Sequence, residues 1–530
     1  MRNEPHLARR AANFQPLSPV AFLDRALAVH PDRPAIIWRD RKWSYEGFAD
    51  IVSRMVSCLR LRGVKAGDVV SIMAANRPEM LAAHYAVPML GAVLNTINTR
   101  LDLPVVTYIL NHAESRILIA DPACAELARA AAAGAGVGVL ELETEEGDLL
   151  SGEADPLGDM FESISDEWQP LCVNYTSGTT GDPKGVVYHH RGAYLNAIGN
   201  VLALRLNDRS VYLWTLPMFH CNGWCHTWAV TAAGGVHVCL DRVDPAEIFS
   251  SIGEHDVTHM ACAPVVLYML LNHPERENYH PSRRIQVASG GASPSVALIS
   301  GLAALGFDFL HLYGLTESYG PVTLCEVSPE EAARLGSEEL ATKLARQGSR
   351  HATANRVRII GEDGGELPWD GASMGEITLK GNTLMAGYYR DAEATEKAFA
   401  GDVFHTGDLA VRHLNGEIEI RDRAKDVIIS GGENISSLEI ENALHRHPSV
   451  LLAAVVAEAD PKWGEVPRAF VELKDGTSLE AEELRLFCRD HLAHYKVPKS
   501  FTFGPLPRTA TGKIQKFVLR ERLGPEHADR

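Results

Sequence analysis

The feature that most restricts the fold of this chain is an alternation of short apolar runs with helical apolar patterns. Runs at 171–175, 211–216, 236–240, 285–288 and 307–312 have the length of buried strands. Between them, 193–204 and 296–305 carry apolar residues at helical spacing. Strands recurring with helices between them predict a sheet covered on both faces, so the main body is expected to be doubly wound α/β. At roughly 150 residues per domain, 530 residues suggest three or four domains or subdomains. Over 355–420 the texture changes to short alternating strands with Gly-rich turns, which predicts a small β-barrel-like module. A second change follows Arg421-Asp422-Arg423, where two helices and a strand pair (451–457 and 469–473) predict a small α+β domain. One of those helices presents Leu484, Phe487, Cys488 and Leu492 on one face, with Thr477 and Glu480 as its expected capping box. The expected organisation is an N-terminal domain over 1–422, holding two α/β subdomains and the β module, and a C-terminal domain over 424–530. The most apolar stretch, 80–97, carries His84, Pro88 and Asn95 and reads as a buried helix rather than an integral membrane segment.

The densest chemistry lies at 175–185, Tyr-Thr-Ser-Gly-Thr-Thr-Gly-Asp-Pro-Lys-Gly, directly after a predicted strand. Glycines such as Gly178 let successive backbone N–H groups converge on an anion. The hydroxyls of Thr176, Ser177, Thr179 and Thr180 add donors, and Lys184 adds a mobile point charge, so the stretch suits a polyphosphate. It is not a Walker A loop, because Lys184 is followed by Gly185 and then by a strand-like Val-Val-Tyr. Lys and Arg number 51 against 68 Asp and Glu, a formal charge of −17. That balance argues against nucleic-acid partners and means that any anionic ligand is held by local donors. The nine scattered cysteines form no CxxC pair, which points to reduced thiols and a cytoplasmic setting.

Further blocks follow in order: Leu216-Pro-Met-Phe-His220, Ser289-Gly-Gly-Ala292, Tyr313-Gly-Leu-Thr-Glu317, His405-Thr-Gly-Asp408, Arg423-Ala-Lys425 with its glycine-rich sequel to Asn434, and Pro507-Arg-Thr-Ala-Thr-Gly-Lys513. With the 175–185 loop, this series resembles the adenylate-forming (AMP-binding) superfamily. Within that superfamily it resembles the acyl-CoA synthetase branch of medium-chain and plant-type acyl-activating ligases, with 3-methylmercaptopropionate–CoA ligases as near neighbours. The resemblance implies ATP, Mg²⁺ and coenzyme A, with a carboxylic acid as substrate, and assigns roles residue by residue. Thr176 and Glu317 would hold the metal, and Ser177, Gly178, Thr179, Thr180 and Lys184 the phosphates. Gly291, Ala292, Tyr313 and Thr316 would surround the adenylate, with Tyr313 stacked on adenine. Asp408 in its Thr-Gly-Asp turn would take the ribose hydroxyls beside Arg423. Lys513, on a mobile C-terminal domain, would bridge the carboxylate and the α-phosphate, and Lys425 would be the hinge. His220, Trp224, Gly290, Gly314 and Gly432 would line the acyl and CoA passage, with His220 counted among the catalytic residues.

The implied activity is an AMP-forming acid–CoA ligase: adenylation of a short- or medium-chain, thioether or aromatic acid, then thioester formation. A stand-alone adenylation enzyme that acylates a carrier protein is the alternative. A Ser-His-Asp hydrolase is disfavoured by the lack of a GxSxG elbow. A homodimer is compatible with the sequence, which does not specify the assembly.

Overall fold

The computed structural model describes residues 4–143, 152–176, 182–291, 294–509 and 513–524. Two large sheets dominate. A nine-stranded sheet has a parallel interior built from Phe307–Leu315, Ile285–Ser289, His259–Cys262, Val211–Leu213, Val236–Cys239 and Pro34–Trp38. Antiparallel strands close both its edges, Arg41–Ser44 at one and Gly320–Leu324 with Ser349–Arg350 at the other. A seven-stranded sheet runs Gly387–Tyr388, Lys184–His189, Pro170–Thr176, Val93–Thr96, Val69–Met73, Ser115–Ala120 and Gly138–Glu141. Its last five strands are parallel. These are the doubly wound layers that the alternating pattern predicts, and in such layers ligands gather beyond the carboxyl ends of the strands.

The expected strands appear with adjusted ends. Phe307–Leu315 runs three residues past its predicted limit because it continues into an antiparallel pairing with Gly320–Leu324. Val211–Leu213 stops early, since Thr215 N–H turns back to the Leu213 carbonyl. The single helix read over 80–97 is corrected to a helix, Pro78–Met89, and a strand, Val93–Thr96. Gly91, at φ +68°, makes the break that other residues take only at a cost.

Residues 356–423 form a four-stranded antiparallel sheet in the order Arg356–Ile360, Gly375–Lys380, Phe404–Arg412, Ile418–Arg423. Beyond it, the long hairpin Val450–Asp460 and Gly464–Leu473 packs with the helices Ser437–Leu444 and Ala481–His491 around Ile440, Val455, Val471, Leu484 and Cys488. The capping pair of the second helix differs from the expected one. Glu483 accepts the Glu480 N–H at 3.0 Å, while the Thr477 hydroxyl is taken by the Lys474 carbonyl at 2.7 Å. No helix among the described residues is long and apolar enough to cross a membrane.

The two large sheets share one apolar core, within which Trp214 and Trp228 are fully buried. They are also tied by Arg77, which is 2% exposed. Its guanidinium reaches Glu79 at 2.7 Å, Asp121 at 3.2 Å and Glu143 at 2.6 Å, and lies 4.8 Å from the Trp38 ring. Arg77 and Asp121 follow strands of the seven-stranded sheet, whereas Trp38 ends a strand of the other. Removing the cation strands two nearly buried carboxylates, so Arg77→Ala is expected to cost about 3–5 kcal/mol. Thermal unfolding checks this, and an unchanged midpoint contradicts it.

Candidate active site

Pro170–Thr176 and Lys184–His189 are the arms of an antiparallel hairpin that sets Thr176 opposite Lys184. The predicted phosphate-binding turn joins them; Ser177, Gly178, Thr179 and Thr180 lie outside the described residues, as does Ala292. Lys184 Nζ is 3.5 Å from Asp391 and 5.0 Å from the centre of the Tyr388 ring. The Tyr388 hydroxyl donates to Glu317 Oε1 at 2.8 Å. Glu317 sits in a single 3-10 turn, Thr316–Ser318, directly after the strand Phe307–Leu315. Its neighbour Thr316 accepts the Tyr188 hydroxyl on its carbonyl at 2.7 Å and the Cys221 thiol on its hydroxyl at 3.1 Å.

A second cluster forms around Asp408. The Tyr313 hydroxyl donates to Asp408 Oδ2 at 2.7 Å, and Arg423 Nε stands 3.1 Å from Oδ1. Asp408 was expected in a free turn; it lies inside the strand Phe404–Arg412, which Gly407 kinks at φ +70°, and it pairs in register with Arg423. Gly314 is a glycine for packing reasons, since a Cβ there would fall 1.8 Å from the Gly320 carbonyl. Lys513 reaches this cluster from the far end of the sequence. Its side chain keeps access to solvent, while surrounding protein and then the Arg423 charge bring its pKa down to about 8. His220 feels the same lysine: burial first, then Lys513, lowers its pKa to about 4, so it is neutral at pH 7.

His220 and Trp224 flank an unusual turn. Cys221, Asn222, Gly223, Trp224 and Cys225 all have positive φ, between 46° and 62°. Left-handed backbone costs non-glycine residues roughly 1–2 kcal/mol each. Such a turn persists only where its surroundings over-determine it. The Trp224 indole packs under the glycine turn that follows Ile285–Ser289. A Cβ on Gly290 would lie 3.2 Å from its ring and 2.5 Å from the Leu312 carbonyl. Gly291, at φ +83°, has no atom of the described residues within 4 Å of where a Cβ would lie, so a ligand can lie against its backbone.

Lys513, Asp408, Arg423, Tyr313 and His220 are therefore gathered at the carboxyl edge of the nine-stranded sheet, next to Glu317 and Lys184. Gly432 is not among them in this arrangement. It lies at the tip of the hairpin Ile428–Ser430 with Glu433–Ile435, where the adjacent Gly431 abuts Trp463. Lys425 is half-buried between two anchors. Asp422 accepts from Ser437 on one side, and Arg520 binds Asp426 on the other. The sequence reading missed Tyr388 and Asp391, which organise Glu317 and Lys184. Tyr388 ends a two-residue strand with no periodicity and Asp391 comes three residues later, so only tertiary pairing with Val186 and Val187 reveals them.

The profile of the AMP-binding enzyme family matches residues 23–389, and that of the AMP-binding enzyme C-terminal domain matches residues 439–513. The peroxisomal acetate/butyrate–CoA ligase AAE7 of Arabidopsis thaliana is 42% identical over 559 residues, covering 99% of this chain and 98% of the relative. The acetate–CoA ligase CCL3 of Humulus lupulus is 40% identical over 553 residues, covering 98% and 97%. Among solved structures, ATP-bound MatB from Rhodopseudomonas palustris matches with a TM-score of 0.83 at 27% identity, over 96% of this chain and 99% of that one. With profiles that span most of its length and relatives matched end to end, this chain belongs to the AMP-binding enzyme family.

Proposed function

We propose that this enzyme is an AMP-forming acid–CoA ligase acting on short-chain carboxylic acids. The observation that carries the reading is the convergence of Lys513, from near the end of the sequence, on Asp408, Arg423 and His220. A carboxylate is a poor electrophile. ATP activates it when a carboxylate oxygen attacks the α-phosphate and pyrophosphate leaves, giving an acyl-adenylate. The CoA thiolate then attacks the acyl carbon and AMP departs, leaving a thioester.

Each residue has work in that sequence. Asp408 accepts two adjacent ribose hydroxyls, with Arg423 and Tyr313 fixing its carboxylate. Because the Tyr313 hydroxyl is committed to Asp408, its ring is free only as an adenine platform. Lys184 and the backbone of the phosphate turn hold the departing pyrophosphate. Lys513 neutralises the carboxylate and α-phosphate as they meet, where positioned positive charge lowers the barrier most. His220, uncharged, can accept or donate a hydrogen bond at the acyl end without adding charge. Magnesium, when bound, screens the phosphate charge. Glu317 fits it, with Oε2 hydrogen-bonded to nothing among the described residues. No group of three His, Cys, Asp or Glu there could cage a metal alone. One carboxylate, the Thr176 hydroxyl, phosphate oxygens and water match the preference of this ion.

We take the acid to be short because the relatives named above are ligases for acetate and butyrate; Trp224, packed beneath Gly290, is the side chain we assign to the limit of the acyl end. Lys425, between its two anchors, is the hinge about which residues 424–530 turn to withdraw Lys513 and admit CoA. The nine cysteines are free thiols, and on that ground we place the enzyme in the cytoplasm, although the Arabidopsis relative is named peroxisomal.

AMP release over a panel of acids, with and without CoA, tests the assignment. Turnover that needs CoA and peaks at short acids supports it. Cycling only with a carrier protein overturns it. Lys513→Ala is expected to cut adenylation by about 10²-fold or more, in line with losing a positioned charge. Thioester formation from supplied acyl-adenylate should stay near wild type in that variant. The pKa of Lys513 also sets a pH limit. Because it is lowered to about 8, the charge is present below pH 8 and lost above it, so kcat/KM for ATP should fall on the alkaline side. Lys513→Arg, always charged, should remove that limb from whatever activity survives.

A further inference from the structure

We infer that Asn222 is a positioning residue for the acid and CoA side of the site, acting through the left-handed turn that carries His220 and Trp224. The inference rests on the proposed placement of those two side chains at the junction of the acyl pocket and the CoA passage. Asn222 is fully buried at φ +46° and ψ +45°, and both ends of its amide are engaged. Its Oδ1 accepts from Asn174 Nδ2 at 2.6 Å, and its Nδ2 lies 3.0 Å from His84 Nε2. The direction of the second bond follows from the ring. His84 Nδ1 faces the Met80 carbonyl at 2.8 Å and must carry the proton, while burial holds the ring neutral with a pKa of about 4. Nε2 is then the acceptor, and the Asn222 amide donates to it.

Two further bonds clamp the same segment. The Thr227 hydroxyl donates to the Asn222 carbonyl at 3.2 Å, and Asn200 Nδ2 to the Trp224 carbonyl at 2.7 Å. Upstream, Asn76 accepts the Met218 N–H at 2.8 Å and donates to the Trp214 and Leu216 carbonyls. The residue type at 222 is over-determined. The backbone asks for glycine, asparagine or aspartate. The partners ask for one donor and one acceptor, which glycine lacks. Aspartate would bring a buried charge and present an oxygen to the His84 acceptor. Asparagine alone meets all of these demands. Asn174, its partner, stands two residues before Thr176 on the strand Pro170–Thr176, so the turn is registered directly against the phosphate-binding hairpin.

The test is Asn222→Gly, which keeps the left-handed backbone available and deletes both side-chain bonds. We expect KM for the acid and for CoA to rise, and thioester formation to slow, on the order of ten- to a hundredfold, the scale of a misplacement near 1 Å. KM for ATP should hold, while the thermal midpoint should fall, because Asn174 and His84 each lose a buried hydrogen-bond partner. A uniform loss in all three substrates, or no change in the acid and CoA constants, overturns the inference. His220→Ala is measured beside it. If His220→Ala moves the acid and CoA constants while Asn222→Gly does not, Asn222 is not a positioning residue. If His220→Ala itself leaves them unmoved, the proposed junction is wrong and the inference falls with it. Should Asn222→Gly fail to fold, Asn174→Ala removes the same bond from the other side. The same selective shift then supports the inference, and a uniform loss or none overturns it.

Discussion

The carboxylate of Asp408 is the point on which the arrangement turns. It lies in the small antiparallel sheet, accepts the hydroxyl of Tyr313 from the nine-stranded sheet, and pairs with Arg423 at the end of its own neighbouring strand. Lys513, from the C-terminal end of the chain, comes into the field of the same pair. Two sheets that share a core, and a C-terminal segment with its own, are thereby referenced to one buried anion. The proposed ribose contact would use that anion, so nucleotide binding and the seating of the C-terminal lysine would share a single anchor.

Much of this was legible in the sequence, and the reasons are physical. Parallel strands buried on both faces, such as Ile285–Ser289 and Phe307–Leu315, write themselves as short apolar runs, and their helices as longer periodic ones. Glycines needed for close approach also stand out: Gly290 faces a carbonyl, and Gly314 faces another backbone. What stayed hidden depends on tertiary pairing. The break at Gly91 divides a run whose apolar character is continuous across helix and strand. Asp408 looked like a turn residue because Gly407 kinks a strand without ending it. Tyr388 and Asp391 matter through what they touch across the fold, and no local pattern announces that.

The acidic balance of −17 looks unsuited to a site for ATP, pyrophosphate and CoA. The structure resolves this by placement. Arg423 is half-buried against Asp408, the exposed Lys184 lies beside Asp391 and the Tyr388 ring, and Lys513 sits where surrounding protein weakens its hold on its proton. A few cations set where phosphate charge would develop serve better than a broad positive face, which would also attract nucleic acids. In the proposed arrangement, the left-handed turn at Cys221–Trp224 would follow the same economy on the acyl side. His220, on a turn backed by neutral His84 and buried amides, is itself neutral and would add no charge beside an uncharged acyl group.

The central claim is that the carboxylate oxygen of the acid becomes bonded to the α-phosphorus of ATP. Turnover of butyrate labelled with heavy oxygen in both carboxylate positions tests it most directly, with the products separated and weighed by mass spectrometry. The account predicts one heavy oxygen in the AMP formed per thioester made, and none in pyrophosphate. Label appearing in inorganic phosphate or pyrophosphate, or unlabelled AMP beside a full yield of thioester, would contradict it.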